Sequence, residues 1–411
     1  MYKLSYLRGI ILGLLMLTVS PCLLDASDGD VVTADGTAQE SSKNIVKFAY
    51  DLNFEMNFDN REYDMTTLSP SMTIFGARLT PSAGISVRQS DKISHKVMAG
   101  IDVMKDFGRS PVSPESIPDG ADVREVSKRQ NNWNLFNEIL IYYQLKSRIG
   151  RTDMTMTAGI FPKSISQAEY PKSFFSDSLR FYDNNYEGLL LTFRRPKAYY
   201  EVGCDWMGMY GDFRRERFMI FSYGDARLKD WLSIGYSAYM YHFAGCRNVW
   251  GVVDNILLNP RIDFEFASMT PFQSLRIGLG WLQGAQNDRR NIGKYVFPCG
   301  AELSLELRKW NVGLLHKCFY GSNMMPYYDN ADAEGCKYGN MLYFGDPFYR
   351  VGGGTSSGFY NRLEVYYEPH ISDFLNLRVG AIAHFHGKFS GWQQQFSLVF
   401  NLQELLGRKN K

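Results

Sequence analysis

The stretch VKFAYDLNFEMNFDN, residues 46–60, alternates apolar and polar side chains along its whole length. Apolar side chains occupy every second position from Val46 to Phe58, and polar side chains lie between them except at Ala49. Successive side chains leave a β-strand on opposite faces, so a period of two predicts a strand. The run is long for a strand of a globular protein, which raises the question whether its apolar face meets a protein core or lipid.

The composition of the 411 residues suits many half-apolar strands better than helices. Aromatic residues make up 15% of the chain, and glycine is abundant, with 37 residues. The 45 basic and 43 acidic side chains nearly balance, so no basic field favours nucleic acid as a partner. The composition therefore predicts a β-rich protein that does not bind nucleic acid.

Residues 1–26 have the features of a secretory signal peptide. Lys3 and Arg8 precede the apolar segment GIILGLLMLTV, and LLDAS offers a cleavage site after Ala26. A retained anchor and a lipoprotein acylated at Cys22 are the alternatives, but the apolar run is short for a spanning helix. No later segment has 18 consecutive apolar residues, so a chain that enters a membrane must do so as a closed barrel.

The alternation recurs through most of the chain and predicts about sixteen strands, an even number as single-chain barrels require. The connections that follow even-numbered strands are short, whereas those that follow odd-numbered strands tend to be long, as at 105–132 and 320–357. Long loops at one end favour an all-β, transmembrane antiparallel β-barrel with short periplasmic turns and long extracellular loops. The predicted organisation is a signal peptide at 1–26, a flexible periplasmic lead-in at 27–44, the barrel at 45–403 and a periplasmic C-terminal tail at 404–411.

Four tryptophans provide a second indication of a membrane barrel. With the N-terminus inside, all four fall in the apolar phase at the external end of their strands, where an interfacial aromatic belt is expected. The predicted belt consists of Trp133, Trp206, Trp281 and Trp392.

The segment AGIFPKS…YPKSFFSDSLRFYDNNYEGLLLTF, residues 158–193, resembles the third-loop region of Gram-negative outer-membrane porins of the phosphate-selective type. The resemblance implies a sixteen-stranded barrel in the cell outer membrane, with the third loop, 162–186, folded into the lumen. It also implies passive diffusion of small polar solutes or ions through a water-filled barrel. The chain lacks the dense ladder of Arg and Lys that would mark phosphate as the solute, and QELLGRKNK follows the last strand where many porins end.

The polar phase of the strands and the inward loop supply the predicted pore residues. Phe174, Phe175, Phe181 and Tyr182 of the loop are expected either to pack it against the wall or to form a slide for sugars. The predicted constriction consists of Lys163, Lys172, Asp177, Arg180, Asp183 and Asn184. The predicted lumen-lining residues are Lys47, Asp51, Glu55, Arg78, Arg88, Lys96, Glu138, Arg194, Glu201, Arg276, Glu364 and Arg378.

The resemblance also implies the partners of the protein. These are outer-membrane lipid and lipopolysaccharide, the small polar solutes or ions, and the barrel-assembly machinery. General porins are often trimers, so a homotrimer is one expected state.

Enzymatic and metal-binding signals are weak in the sequence. His384 and His386 in HFHGK share one face of a strand, but no third metal ligand is identifiable. The chain contains neither G-x-S-x-G nor H-E-x-x-H. The sequence therefore predicts no enzyme, no catalytic residue, no metal and no cofactor. The alternatives are a barrel with a plugged lumen that binds or adheres at the surface, a barrel hydrolase, and a soluble exported sandwich.

Five cysteines remain after removal of the signal peptide. Cys204 falls in the lipid-facing phase, and the other four map to the external end. Cys318 and Cys336 lie within one long connection and are the simplest disulfide, although connectivity cannot be read from sequence. The external cysteines are Cys246, Cys299, Cys318 and Cys336.

Overall fold

The computed structural model describes residues 45–107, 136–212, 214–352 and 356–401. In these ranges the chain forms an antiparallel β-barrel, which the pairing of the first and last strands closes. The predicted signal peptide at 1–26, the lead-in at 27–44, the tail at 404–411 and Trp133 lie outside the described residues.

Sixteen long strands form the wall in the described part of the chain, which confirms the predicted fold class. A seventeenth strand of three residues, β15, pairs only with β16 and lies in the turn before it. The strands are β1 (Ile45–Glu62), β2 (Met72–Arg88), β3 (Ile93–Asp106), β4 (Phe136–Ile149), β5 (Thr152–Pro162), β6 (Asn185–Arg195), β7 (Ala198–Gly208), β8 (Arg217–Lys229), β9 (Leu232–Ala244), β10 (Val252–Glu265), β11 (Ser274–Asp288), β12 (Cys299–Lys309), β13 (Val312–Gly321), β14 (Gly358–Tyr367), β15 (His370–Ser372), β16 (Leu375–His386) and β17 (Lys388–Asn401).

The opening stretch lies in β1, with its apolar side chains on the outer surface of the barrel. Phe48 is 70% exposed and Tyr50 is 43% exposed, whereas Asp59 of the polar phase is only 1% exposed. A shift of one residue would exchange the two faces, so the pairing of Phe54 with Leu79 on β2 fixes which face is which. The apolar face therefore meets the surroundings of the barrel, as expected for a wall in lipid.

Among the described residues, two of the external connections fold into the lumen. The connection between β5 and β6 contains a 3-10 turn, Lys163–Ile165, and a short helix, α1 (Asp177–Tyr182). The connection between β13 and β14 contains α2 (Gly339–Leu342) and a 3-10 turn, Pro347–Tyr349. The first of these insertions confirms the prediction of a third loop folded into the lumen.

Helix α1 has an N-cap residue and terminal charges that favour a helix at this position. Ser176 precedes it, and the Ser176 hydroxyl accepts a hydrogen bond from the backbone N–H of Leu179. Asp177 lies in the first turn and Arg180 in the last turn, where their charges complement the helix dipole. Among the helices of the described residues, none is long and apolar enough to cross a membrane.

The turn between β12 and β13 fixes the register of the strand that carries the candidate site below. Lys309 pairs with Val312, so the loop consists of Trp310 and Asn311 alone. Both loop residues have positive φ, 52° and 67°, as a two-residue turn of type I′ requires. This register places His316 on the outer face of β13, opposite Leu305 of β12.

Candidate functional site

Aromatic side chains of the two inserted connections fill the lumen where they meet the wall. Phe174 contacts Tyr239 of β9 with ring centroids 5.2 Å apart, and Phe174 is fully buried. Tyr349 contacts Phe319 of β13 at 5.2 Å and is 1% exposed. The lumen that the sequence analysis expected to be water-filled is occupied at this level by packed side chains. The loop aromatics were expected either to pack against the wall or to form a slide for sugars. Phe174 packs against the wall.

The predicted constriction residues hold the inserted connection together. The Lys163 ammonium lies 2.9 Å from the Asp183 carboxylate and donates to the Asp183 carbonyl oxygen at 2.9 Å. The backbone N–H of Lys163 donates to the carbonyl oxygen of Asn184 at 2.7 Å. Lys172 forms an ion pair with Asp177 at the start of α1. These groups are engaged with one another within the loop.

Asp177 lies at the centre of a basic cluster. Burial opposes ionisation of this carboxyl, but the charges of Lys172, Arg362 and Arg180 outweigh it and hold the pKa of Asp177 well below its usual range. Arg180 also donates to the carbonyl oxygen of Tyr170 at 2.7 Å. The ionised Asp177 therefore ties the loop to itself and to β14.

Arg78 anchors the same connection to the wall. Its guanidinium forms a fully buried ion pair with Asp102 of β3 and donates to the carbonyl oxygen of Phe181. Asn185, at the start of β6, donates to Asp102 at 2.8 Å and to Glu138 at 2.5 Å. Buried charges need this degree of pairing, because an uncompensated charge is costly away from water.

The other predicted lumen residues also lie on the inward-facing phase. Glu201 accepts hydrogen bonds from Ser166 at 2.8 Å and from Tyr170 at 3.0 Å, so it fastens the loop as well. Arg378 bridges Glu364 at 2.5 Å and Glu368 at 3.0 Å. Asp51, Glu55, Lys96 and Arg276 are partly buried, whereas Lys47, Arg88 and Arg194 are exposed near the periplasmic ends of their strands. Their role in a pore stays a prediction.

Three tryptophans of the predicted belt lie on the outer face. Trp206, Trp281 and Trp392 are 40%, 45% and 38% exposed. The Trp392 indole N–H donates to the Glu62 carboxylate at 2.8 Å. Trp206 and Trp392 lie toward the external ends of β7 and β17, as expected of residues at a membrane interface, whereas Trp281 lies at the middle of β11.

His384 and His386 share the inward face of β16, as the sequence indicated. His384 is fully buried; one ring nitrogen lies 2.8 Å from the Tyr360 hydroxyl and the other lies 3.0 Å from the Gln393 side-chain oxygen. His386 Nε2 donates to the carbonyl oxygen of Arg350 at 3.0 Å. Within the ranges that the structure describes, no cluster of three or more His, Cys, Asp or Glu side chains forms a metal site.

In the described part of the chain, Cys204, Cys246, Cys299 and Cys318 form no disulfide. Cys204 on β7 and Cys318 on β13 are partly buried, and Cys336 is exposed in the following connection. The suggested Cys318–Cys336 disulfide is wrong for this structure, because Cys318 belongs to the outer face of the barrel wall.

A groove of about 350 Å³ on the outer wall contains a polar pair. His316 Nε2 of β13 lies 3.3 Å from Asn361 Oδ1 of β14. On the same face, Tyr320 is 58% exposed and Val365 is 47% exposed, so the pair faces outward. The remaining lining is apolar: Leu305, Leu314, Leu363 and Phe385.

The groove lies near the middle of β13, which has ten residues. His316 is the fifth residue of β13 from its periplasmic end, whereas Trp281 is the eighth residue of β11. A tilted strand gains about 2.5 Å of height per residue, so His316 lies about 8 Å to the periplasmic side of the Trp281 level. This depth corresponds to the acyl chains of the outer leaflet, inward of the aromatic interface.

An ionisable side chain on the lipid face is costly and marks a candidate functional site. His316 was not among the residues singled out from sequence, although a signal existed. In VGLLHKCFYG, residues 312–321, the apolar phase runs through Leu314, His316 and Cys318, so a histidine stands where lipid is expected. The partner Asn361 is supplied by the next strand, 45 residues away in sequence.

Solved structures resemble the chain in fold. OmpTdeltaL8, a loop L8 deletion mutant of the outer membrane protein OmpT of Vibrio cholerae, has a TM-score of 0.50 and 9% identity, and the match covers 87% of this chain and 99% of that one. A triple mutant of Rhodopseudomonas blastica porin has a TM-score of 0.42 and 10% identity, over 86% of this chain and 100% of that one. At such identities the likeness concerns the fold alone, which is that of outer-membrane barrels. The finer resemblance to phosphate-selective-type porins stays a prediction.

The sequence comparisons bear on activity. Comparison with curated proteins found no match. The profile of a family described as lipid A 3'-O-deacylase-type matches residues 39–402. This match contradicts the prediction that the protein is not an enzyme, because the family is named for an enzymatic activity. Because this match spans most of the chain, the chain belongs to the lipid A 3'-O-deacylase-type family.

Proposed function

We propose that the protein is an outer-membrane hydrolase that removes an ester-linked acyl chain from a lipid of the outer leaflet. The family description suggests lipid A as the substrate class. The observation that carries the proposal is the His316–Asn361 pair in the lipid-facing groove. The predicted location in the Gram-negative outer membrane is part of this proposal.

The groove suits the acyl chain of an ester in its polarity. Its apolar walls, formed by side chains such as Leu314 and Phe385, would hold one hydrocarbon chain. The imidazole of His316 lies about 8 Å below the tryptophan level, so a lipid would have to bring its ester bond down to the groove from the interface. A lipid would therefore reach the site sideways from the membrane, without entering the lumen.

The proposed reaction uses His316 as general base and then as general acid. Asn361 Oδ1 accepts the Nε2–H of the neutral imidazole, which leaves the lone pair of Nδ1 free. Nδ1 removes a proton from a water molecule as the water oxygen attacks the ester carbonyl carbon. The tetrahedral intermediate then breaks its bond to the alkoxyl oxygen, which takes the proton from Nδ1. The products are a free fatty acid and the lipid with one hydroxyl in place of the ester.

Cys318 is the alternative nucleophile in the same region. It follows His316 by two residues on the same face and is the strand partner of Asn361. A Cys–His–Asn set catalyses acyl transfer on other folds, so a thioester route has a chemical precedent. We favour water as the nucleophile. Among the described residues, no cationic side chain lies within hydrogen-bond distance of the Cys318 sulfur, where it would stabilise a thiolate.

The filled lumen supports a wall-based activity over passive diffusion. Packed rings such as Phe174 and Tyr349 occupy the path that a polar solute would take. Passive transport of small solutes and assembly into a homotrimer therefore remain predictions without a supporting contact. Outer-membrane lipid and lipopolysaccharide, the partners predicted from sequence, are the proposed surroundings and the proposed source of the substrate.

Incubation of the purified protein with vesicles that contain lipid A tests the proposal. Mass spectrometry of the lipid is expected to find loss of one acyl chain and appearance of the matching free fatty acid. The variant His316→Gln, folded to the wild-type barrel, is expected to leave the lipid intact. Equal acyl loss with the wild type and the variant would remove His316 from the reaction.

A further inference from the structure

A cavity of about 240 Å³ lies inside the barrel beneath the connection between β5 and β6. Residues 169–172 and Arg180 of this connection form one wall, and inward-facing residues of β8 and β10–β14 form the others. Lys317 lines the cavity, whereas the adjacent His316 lines the outer groove. The two sites are therefore separated by the barrel wall itself.

One end of the cavity, near the middle of the barrel, is strongly basic. Lys317 lies within electrostatic reach of Arg362, Arg180 and Arg261. Glu302 is the acidic group that acts on Lys317, and one of its carboxylate oxygens already accepts a hydrogen bond from a tyrosine hydroxyl. Four cationic side chains thus line one space together with the carboxylates of Glu302 and Asp263.

Two of these cations lack an acidic partner in contact. Among the described residues, the Lys317 ammonium makes no hydrogen bond and no ion pair. Arg180 has its hydrogen bond to the carbonyl oxygen of Tyr170, and no carboxylate lies within ion-pair distance of it in the described ranges. By contrast, Arg362 is paired with Glu364 at 2.5 Å, and Arg261 is paired with Asp225 and with Asp263 at 3.2 Å each. Enclosed cations without an acidic partner in contact are costly, so Lys317 and Arg180 favour a bound anion.

The other end of the cavity is acidic and lies toward the periplasm. Glu306 is within electrostatic reach of Arg276, Glu169 and Glu265. The side chain of Arg276, three residues into β11 from its periplasmic end, is 34% exposed. The acidic end of the cavity therefore lies on the periplasmic side of the basic cluster.

We propose that the basic cluster of Lys317, Arg180, Arg362 and Arg261 binds a small phosphate-type oxyanion. Arginine supplies planar pairs of N–H donors and lysine supplies a compact charge, the combination that suits phosphate oxygens. The space is several times the volume that one water molecule takes, about 30 Å³, so it accommodates the ion or a small phosphate monoester. This site goes beyond lipid deacylation, because it lies on the opposite face of the wall.

Calorimetric titration of the folded barrel in detergent, in phosphate-free buffer, tests the site. Inorganic phosphate and glycerol 3-phosphate are the two probes, and binding of at least one is expected. Binding of inorganic phosphate alone assigns the free ion as ligand, whereas binding of both assigns the phosphate group of either source. Absence of binding by both probes would overturn the proposal.

Variants connect the binding to the cluster. Lys317→Gln and Arg180→Gln are each expected to weaken binding by about tenfold or more, the effect of losing a charge-assisted hydrogen bond. Lys317→Arg is expected to retain binding, because it keeps the charge. The control Arg148→Gln changes an exposed arginine at a periplasmic turn and should bind as the wild type does. Unchanged binding in both glutamine variants would contradict the site, and His316→Gln should bind phosphate normally whether or not deacylation is observed.

Discussion

Arg78 and Asp102 form an ion pair in which both side chains are completely inaccessible to solvent. The same guanidinium donates to the carbonyl oxygen of Phe181, so it connects β2 and β3 to the end of α1. The inserted connection is therefore attached to the wall by charge as well as by aromatic packing. This attachment explains how a lumen predicted to be a passage is kept filled.

The variant Arg78→Met is expected to destabilise the barrel by about 3–5 kcal/mol, because it leaves Asp102 buried without its partner. Urea unfolding of the detergent-solubilised protein measures the change. The matched control is Arg148→Met, which removes an ion pair with Asp153 whose side chains are 62% and 52% exposed. The control should unfold at the same urea concentration as the wild type. If Arg78→Met were as stable as the wild type, the buried pair would not stabilise the fold.

The variant His316→Gln is expected to lower the rate of lipid deacylation by a factor of about 10²–10⁴, the range for loss of a general acid–base group. Free fatty acid released from lipid A vesicles measures the rate. His95 provides the control, because it also belongs to the wall but lies near the periplasmic end of β3. Its Nδ1 atom is hydrogen-bonded to the Tyr143 hydroxyl at 2.7 Å. If His95→Gln lost as much activity as His316→Gln, the assignment of the groove would be wrong.

The fold was predictable because its signals are local. Alternation in a stretch such as 46–60 reports which face of a strand is apolar, and the lengths of the connections report which end is external. The inserted third loop was found from its own resemblance, residues 158–193. Each of these features depends on residues close together in the chain.

The sequence predicted a filled lumen only as an alternative to a water-filled one, because polar inward residues suit either water or an inserted loop. A signal was nevertheless present in β9, where Tyr239, Tyr241 and Phe243 face inward while Met240 faces outward. Apolar side chains on both faces of a strand indicate packing on both sides. The His316–Asn361 pair depended on strand register, which the sequence does not specify at single-residue precision.

The variant Cys318→Ala distinguishes attack on the ester by water from attack by the Cys318 thiol. Retention of most of the deacylase activity is expected, because water activated by His316 needs no thiol. Vesicle assays with the wild type and the variant in parallel measure the ratio of rates. A loss as large as that of His316→Gln, together with a fatty-acyl adduct on the wild-type protein in mass spectrometry, would assign a thioester route in place of the water route.

Acid is expected to loosen the inserted connection through Asp177. The pKa of Asp177 is lowered in the folded protein, since Lys172, Arg362 and Arg180 outweigh the effect of burial. A carboxyl with a depressed pKa stabilises the fold at pH values above its unfolded pKa of about 3.9, and this contribution is lost as the pH falls below that value. Protease cleavage within 163–184 should therefore increase below about pH 4 in the wild type. In Asp177→Asn, which carries no titratable group there, cleavage should be higher at neutral pH and change less with acid; the same pH dependence in both proteins would show that another group controls the connection.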